Sequence, residues 1–149
     1  MPELYQELKV SRAISVTNGA AGSTDVAGAG LDMAGFEGVI AFVTLGALTT
    51  GGTCTLKWQQ SSDDGSSDAY SDLEGTLITV DVDADDEKVV KMGLHKPVKR
   101  YVRIYNDRAT QNSVCSAFYL QYGARTIPVT DESTTVLGES HVSPAEGTA

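Results

Sequence analysis

A period of two, recurring in short segments, limits this chain's fold more than any other feature. Residues 53–61 (TCTLKWQQS) alternate Cys54, Leu56 and Trp58 with Thr53, Thr55, Lys57 and Gln59. Residues 100–106 (RYVRIYN) set Val102 and Ile104 against Tyr101, Arg103 and Tyr105. Residues 113–122 (SVCSAFYLQY) set Val114, Ser116, Phe118, Leu120 and Tyr122 against Cys115, Ala117, Tyr119 and Gln121. Such alternation places one set on each face of a β-strand. Residues 38–45 (GVIAFVTL) are apolar on both faces, which suits a strand in the middle of a sheet or sandwich.

The punctuation between these segments is turn chemistry. Thr49-Thr50-Gly51-Gly52 predicts a hairpin joining 38–45 to 53–61. Asn106-Asp107 and Gln111-Asn112 predict a second hairpin joining 100–106 to 113–122. Further strands are expected at 10–17, with Val10, Ile14 and Val16 for burial, and at 88–94. Another is expected at 76–84, with Ile78, Val80, Val82 and Ala84 on one side and Asp81 and Asp83 on the other. No Gly or Pro interrupts 76–92, so a helix fits by length, but β-branching and alternation favour a strand. Seven or eight short antiparallel strands with Gly, Asp and Ser turns indicate an all-β, jelly-roll-like sandwich, with an up-and-down barrel second.

The chain's 149 residues suffice for one core and are too few for two comfortable ones. The sandwich is expected over 10–125, containing a Gly/Ala-rich loop or mobile segment at 18–30 (NGAAGSTDVAGAG). Residues 1–9 read as an arm or a short helical turn. Residues 126–149 carry four acids and no Lys or Arg, and read as a flexible arm or disordered tail.

The formal net charge of −9 argues against nucleic acid and anionic membranes as partners, since both need the opposite balance. No apolar run approaches the roughly 20 residues of a membrane span. The start, MPELYQELKVSR, lacks a cationic stretch followed by an apolar one, so maturation in a cytoplasm is expected. Cys54 and Cys115 lack metal-type spacing and lie in strand-like segments, which favours buried free thiols over a disulfide.

Catalytic chemistry finds little purchase. His95 and His141 offer no nucleophile–base pairing, and no phosphate-binding or nucleophile-elbow motif is present. Gly28-Ala29-Gly30 has neither the preceding strand nor the following helix of a nucleotide loop. The run Asp81-Val82-Asp83-Ala84-Asp85-Asp86-Glu87 fails the calcium-loop pattern, with Asp86 at the glycine position and Met92 at the final glutamate position. A solvated acidic face is preferred to a metal site or a glycosidase pair. The chain is read as no enzyme, with no cofactor.

Charge is segregated. Residues 61–87 hold ten Asp or Glu and no Lys or Arg, whereas 88–108 hold seven Lys or Arg and one acid, Asp107. Either the two segments balance within the monomer, or the basic strand meets an acidic partner or another copy. On the second reading Arg100, Tyr101, Arg103, Tyr105 and Arg108 form a candidate interface, because Tyr and Arg are enriched at binding surfaces.

The stretch LDMAGFEGVIAFVTLGAL, then TLKWQQSSDDGSSDAYSDLEG, then KRYVRIYND resembles the decoration, or cement, proteins of tailed-bacteriophage capsids. The resemblance spans roughly residues 31–125 and lies in motif order: an apolar strand, a W-x-x-S-x-D segment and an R-Y-V-R strand. It implies a β-sandwich or jelly roll, made in the host bacterial cytoplasm, that binds the outside of an assembled capsid. The partner would be the major capsid protein, with neighbouring subunits bridged by a homo-dimer or homo-trimer at symmetry axes. The competing readings are a phage tail or fibre component and a carbohydrate-binding sandwich. The latter needs an exposed planar aromatic, yet Trp58 alternates with Cys54 and Leu56 on the expected core side.

Overall fold

The computed structural model describes residues 3–148. After a single helical turn, α1 (Leu4–Glu7), the chain forms β1 (Lys9–Ile14), β2 (Val26–Ala27), β3 (Leu31–Asp32), β4 (Gly38–Leu48) and β5 (Thr53–Ser61). There follow β6 (Ser71–Asp72), β7 (Ile78–Val80), β8 (Val89–His95), β9 (Tyr101–Ala109) and β10 (Ser113–Tyr122). Every pairing is antiparallel. One sheet, here sheet A, runs β1-β10-β4-β8. The other, sheet B, runs β2-β9-β5-β6, with β3 also on β9 and β7 also on β5.

The pairs β2/β3 and β6/β7 each act as one interrupted strand, leaving eight strand positions. In chain order sheet A is then first–eighth–third–sixth, and sheet B second–seventh–fourth–fifth. That is the strand order of a jelly roll, a sandwich that folds two Greek keys over one core. Val39, Ala41, Val43, Cys115, Ala117 and Tyr119 face inward from sheet A, opposite Cys54, Leu56, Trp58, Val102 and Ile104 of sheet B. Trp58 (1% exposed) and Tyr119 (0%) stack at 6.1 Å between ring centroids, filling the middle of the core. The Tyr119 hydroxyl donates to the Ala29 carbonyl at 2.8 Å and accepts from the Ile104 N–H at 3.1 Å, so its polar end is satisfied.

Both expected hairpins are instead arches. β4 pairs with β10 and β8, while β5 pairs with β9, β6 and β7, so each short connection crosses from one sheet to the other. The arches stack on one another, with the Thr49 N–H donating to the Asn112 carbonyl at 3.1 Å. Alternation is identical in a hairpin and an arch. What separates them is that the arch sets Val102 and Ile104 across the core from Ala117 and Tyr119, burying both apolar faces against each other.

Three local expectations also change. Val16 lies beyond β1 and is 76% exposed, because a bulge between Arg12 and Ile14 already turns Ala13 and Ile14 both inward. The strand expected at 76–84 stops at Val80. The Asp81 carboxylate there accepts the Asp83 N–H and the Asp85 carboxylate accepts the Asp81 N–H, closing a turn in place of a ladder. The 18–30 segment contains β2 and is fitted against the sandwich, not loose. Gly19 lies so close to the Cys115 carbonyl that a Cβ would overlap it, and Gly22 bridges Ser113.

Candidate interaction surface

Strand β9 carries the five residues singled out from the sequence, and its pleat divides them. Tyr101, Arg103 and Tyr105 share the outer face of sheet B, and Arg100 adjoins them just before the strand. Arg108 has the parity of Val102 and Ile104, points inward and is 4% exposed. Its guanidinium donates to the carbonyls of Thr24 (2.6 Å), Ala20 (3.0 Å) and Ser113 (2.7 Å), pinning the Gly/Ala-rich loop to the arches. It is a structural group and no part of the surface. Position parity was the available signal.

Of the remaining four, Arg100, Arg103 and Tyr105 are held by partners within the chain, and Tyr101 packs its ring beneath Arg100 at 5.3 Å from the centroid. Arg103 stacks over Tyr70 at 4.1 Å from its centroid and donates to Gln59 Oε1 at 2.8 Å. Gln59 Nε2 and Lys57 Nζ both reach Asp72, at 2.8 and 2.7 Å. The Tyr105 hydroxyl donates to Asp25 at 2.9 Å, a bond that raises its pKa by holding the proton. Tyr70 donates to Asp64 at 2.6 Å. Arg100 grips Asp32 through two nitrogens at 2.9 and 2.7 Å, which lowers the Asp32 pKa and raises that of Arg100. Lys99 reaches Asp68 at 2.6 Å and pulls its pKa down to about 2, helped by the Ser62 N–H and hydroxyl.

The acidic and basic segments therefore meet within one chain: Asp68 with Lys99, Asp85 with Lys88, and Asp64 with Tyr70 beneath Arg103. The acidic run likewise turns inward on itself. Asp85 accepts from both Asp81 and Lys88, and Asp86 accepts the Leu48 N–H at 3.2 Å. No cluster of three or more metal-ligating side chains forms among the described residues. Cys54 and Cys115 are buried free thiols linked through Asn106, whose amide oxygen accepts from Cys54 (3.3 Å) and whose nitrogen donates to Cys115 (3.1 Å). Burial raises both thiol pKa values, leaving them protonated and inert.

The outer face of sheet A has the opposite character. In register across its strands, one row reads Val10, Leu120, Ile40, Gly93 and the next reads Arg12, Phe118, Phe42, Lys91. Phe42 and Phe118 stack at 5.2 Å, and Phe118 remains 39% exposed. Among the described residues Val10, Ile40, Phe42 and Leu120 are half-buried by one another and their neighbours, and Phe118 is the apolar side chain of these rows that stands open. Arg12 and Lys91 flank the aromatic pair from opposite sheet edges, and neither is in an ion pair or side-chain hydrogen bond among the described residues. At one end His95 stacks on Tyr122 with Nδ1 3.0 Å from the hydroxyl. The sequence signal for this face was the doubly apolar run in β4. It places β4 centrally, and it also leaves Ile40 and Phe42 on the outer face of sheet A.

An open groove of about 750 Å³ lies at one end of the sandwich, between Phe36, Val98, Lys96 and Arg125. Three of the four cations lining it are already paired, Lys96 with Glu37, Lys99 with Asp68 and Arg100 with Asp32. A comparison with protein-family models found no match, and neither did one with curated proteins.

Proposed function

We propose that this chain is a structural adhesion protein of a tailed-bacteriophage head, a non-enzymatic cement that binds the outer surface of the assembled capsid. The observation that carries the reading is the apolar outer face of sheet A, where Phe118 stands 39% exposed among half-buried Phe42, Ile40 and Leu120. Monomeric antiparallel sandwiches ordinarily turn polar residues to water on their outer faces. A contiguous apolar surface rimmed by two unpaired cations marks a protein-binding site, and Arg12 and Lys91 select a partner whose matching surface is bordered by carboxylates.

Support also comes from the motif order across residues 31–125, and from a jelly-roll order known in viral capsid proteins and in lectins. Fold alone does not assign function. Between those two classes the buried Trp58 favours the first, since it presents no platform for a sugar ring. On this reading the partner is the major capsid protein, neighbouring subunits are bridged, and the protein resides on the virion exterior. Mixing purified protein with undecorated capsids and sedimenting them tests it. Stoichiometric pelleting that weakens with salt is expected; absence of pelleting at low ionic strength overturns the proposal.

A further inference from the structure

We infer that the free edge of β8 is a self-pairing surface, where two copies of this chain join antiparallel about a two-fold axis through Met92.

The two edges of sheet A are treated differently. Along β1 the chain's own tail lies against the edge: the Val10 N–H donates to the Asp131 carboxylate at 2.9 Å, and the Val129 N–H donates to the Gln6 carbonyl at 2.9 Å. Along β8 no hydrogen bond reaches the outer side of the strand among the described residues. Which groups are free follows from the β4 register. The Leu45 N–H bonds the Lys88 carbonyl and the Lys96 N–H bonds the Glu37 carbonyl, at 2.9 and 2.8 Å. By antiparallel alternation Val90, Met92 and Leu94 then bond to β4, and Val89, Lys91, Gly93 and His95 turn their N–H and C=O outward.

That row is self-complementary in one register. With the axis on Met92, Val89 faces the partner's His95, and Lys91 faces the partner's Gly93. All four outward residues form hydrogen-bonded pairs, about eight main-chain bonds in total. Val90 comes beside the partner's Leu94, joining half-buried apolar side chains at the ends of the two cores. Moving the axis to Lys91 sets Lys91 against Lys91, a like-charge pair. Moving it to Gly93 sets Val89 against Pro97, which has no N–H to give.

Gly93 is the observation that turns this edge from a blunted one into a docking one. A lysine in mid-edge ordinarily deters strand addition. Here the position it would meet has no side chain, and the fold gives no reason for that. A Cβ at Gly93 meets nothing within 4 Å, and its φ is not among the positive ones. A glycine inside a strand fits the close approach of another backbone, and its bare surface accepts the Lys91 stem. The pair makes one continuous eight-stranded sheet and doubles the apolar outer face. The inference does not rest on the capsid reading.

Sedimentation velocity of the full chain over a wide concentration range, without capsids, tests it. The expected result is a monomer–dimer equilibrium that closes at two copies. Gly93→Pro removes an outward N–H while leaving the β4 bonds intact, and should leave only monomer. Gly93→Lys opposes two lysines twice across the axis and should weaken the dimer about tenfold. Combining it with Lys91→Glu should restore association. Circular dichroism and thermal melting, unchanged in these variants, keep folding apart from pairing. A monomer at every concentration, a trimer, or a dimer indifferent to all three variants overturns the inference.

Discussion

The two outer faces of this sandwich cover one core and differ in what they leave unspent. On sheet B, Tyr70, Arg103, Gln59, Lys57 and Asp72 hold one another at hydrogen-bonding or stacking distance. On sheet A, Phe42 and Phe118 stack on each other, Phe118 stays 39% exposed, and the flanking Arg12 and Lys91 are exposed and unpaired among the described residues. Interface-type residues are therefore a poor guide unless their partners are known. Tyrosine and arginine in β9 look adhesive in isolation and are occupied in the fold. On the proposed reading, the plain apolar row around Phe118, with Ile40 and Leu120 beside it, is where burial still has area to gain.

The largest expected effect separates two arginines of one strand. Arg108→Ala leaves three carbonyls without their donor and should cost about 3 kcal/mol or more in urea denaturation. Arg103→Ala, on the half-exposed lattice, should cost about 1 kcal/mol. Equal losses would erase the distinction between an inward and an outward β9 cation.

Next in size is binding. Phe118→Asp places a charge in the middle of the sheet A surface and should weaken capsid binding at least thirtyfold, roughly the 2 kcal/mol of a hot spot. Tyr105→Ala should change it less than threefold. Co-sedimentation isotherms of the two variants read this difference, and a larger effect from Tyr105→Ala would reverse the assignment of the faces.

Acid should act through sheet B and its adjoining loop. The carboxyls of Asp68, Asp72 and Asp32 are lowered below their ordinary values chiefly by Lys99, Lys57 and Arg100. A lowered folded-state pKa contributes stability above the unfolded value near 4, and that contribution disappears as pH falls towards the folded value. For Asp68 that window runs from about 4 down to about 2. Thermal midpoints measured through this window should fall, and Lys99→Met should flatten part of the slope. The smallest effect is expected of Lys57→Met, where a partly exposed ion pair with Asp72 contributes about 1 kcal/mol or less.

The strands themselves were legible because alternation is a local property. Cys54, Leu56 and Trp58 face the core as their spacing requires, as do Val102 and Ile104. The connections were not legible, because Thr49–Gly52 and Gln111-Asn112 suit a hairpin and an arch equally, while Asn106 and Asp107, expected to turn, continue β9 in register with Leu56 and Thr55, and only distant pairing decides. Residues 18–30 looked loose because small side chains bury little area. Their order comes instead from backbone approach at Gly19 and from the Arg108 guanidinium, neither of which composition reveals. The sheet A surface was half legible: two-sided apolarity in β4 shows that both faces seek burial, but not that no strand or helix among the described residues is laid over the second.

Carbene footprinting of the protein, free and bound to undecorated capsids, addresses the central claim most directly. The account predicts that labelling falls at Phe118, Phe42 and Leu120 on binding, while Tyr101 and Tyr105 label as before. Protection of Tyr101 and Tyr105 with Phe118 still labelled would contradict it.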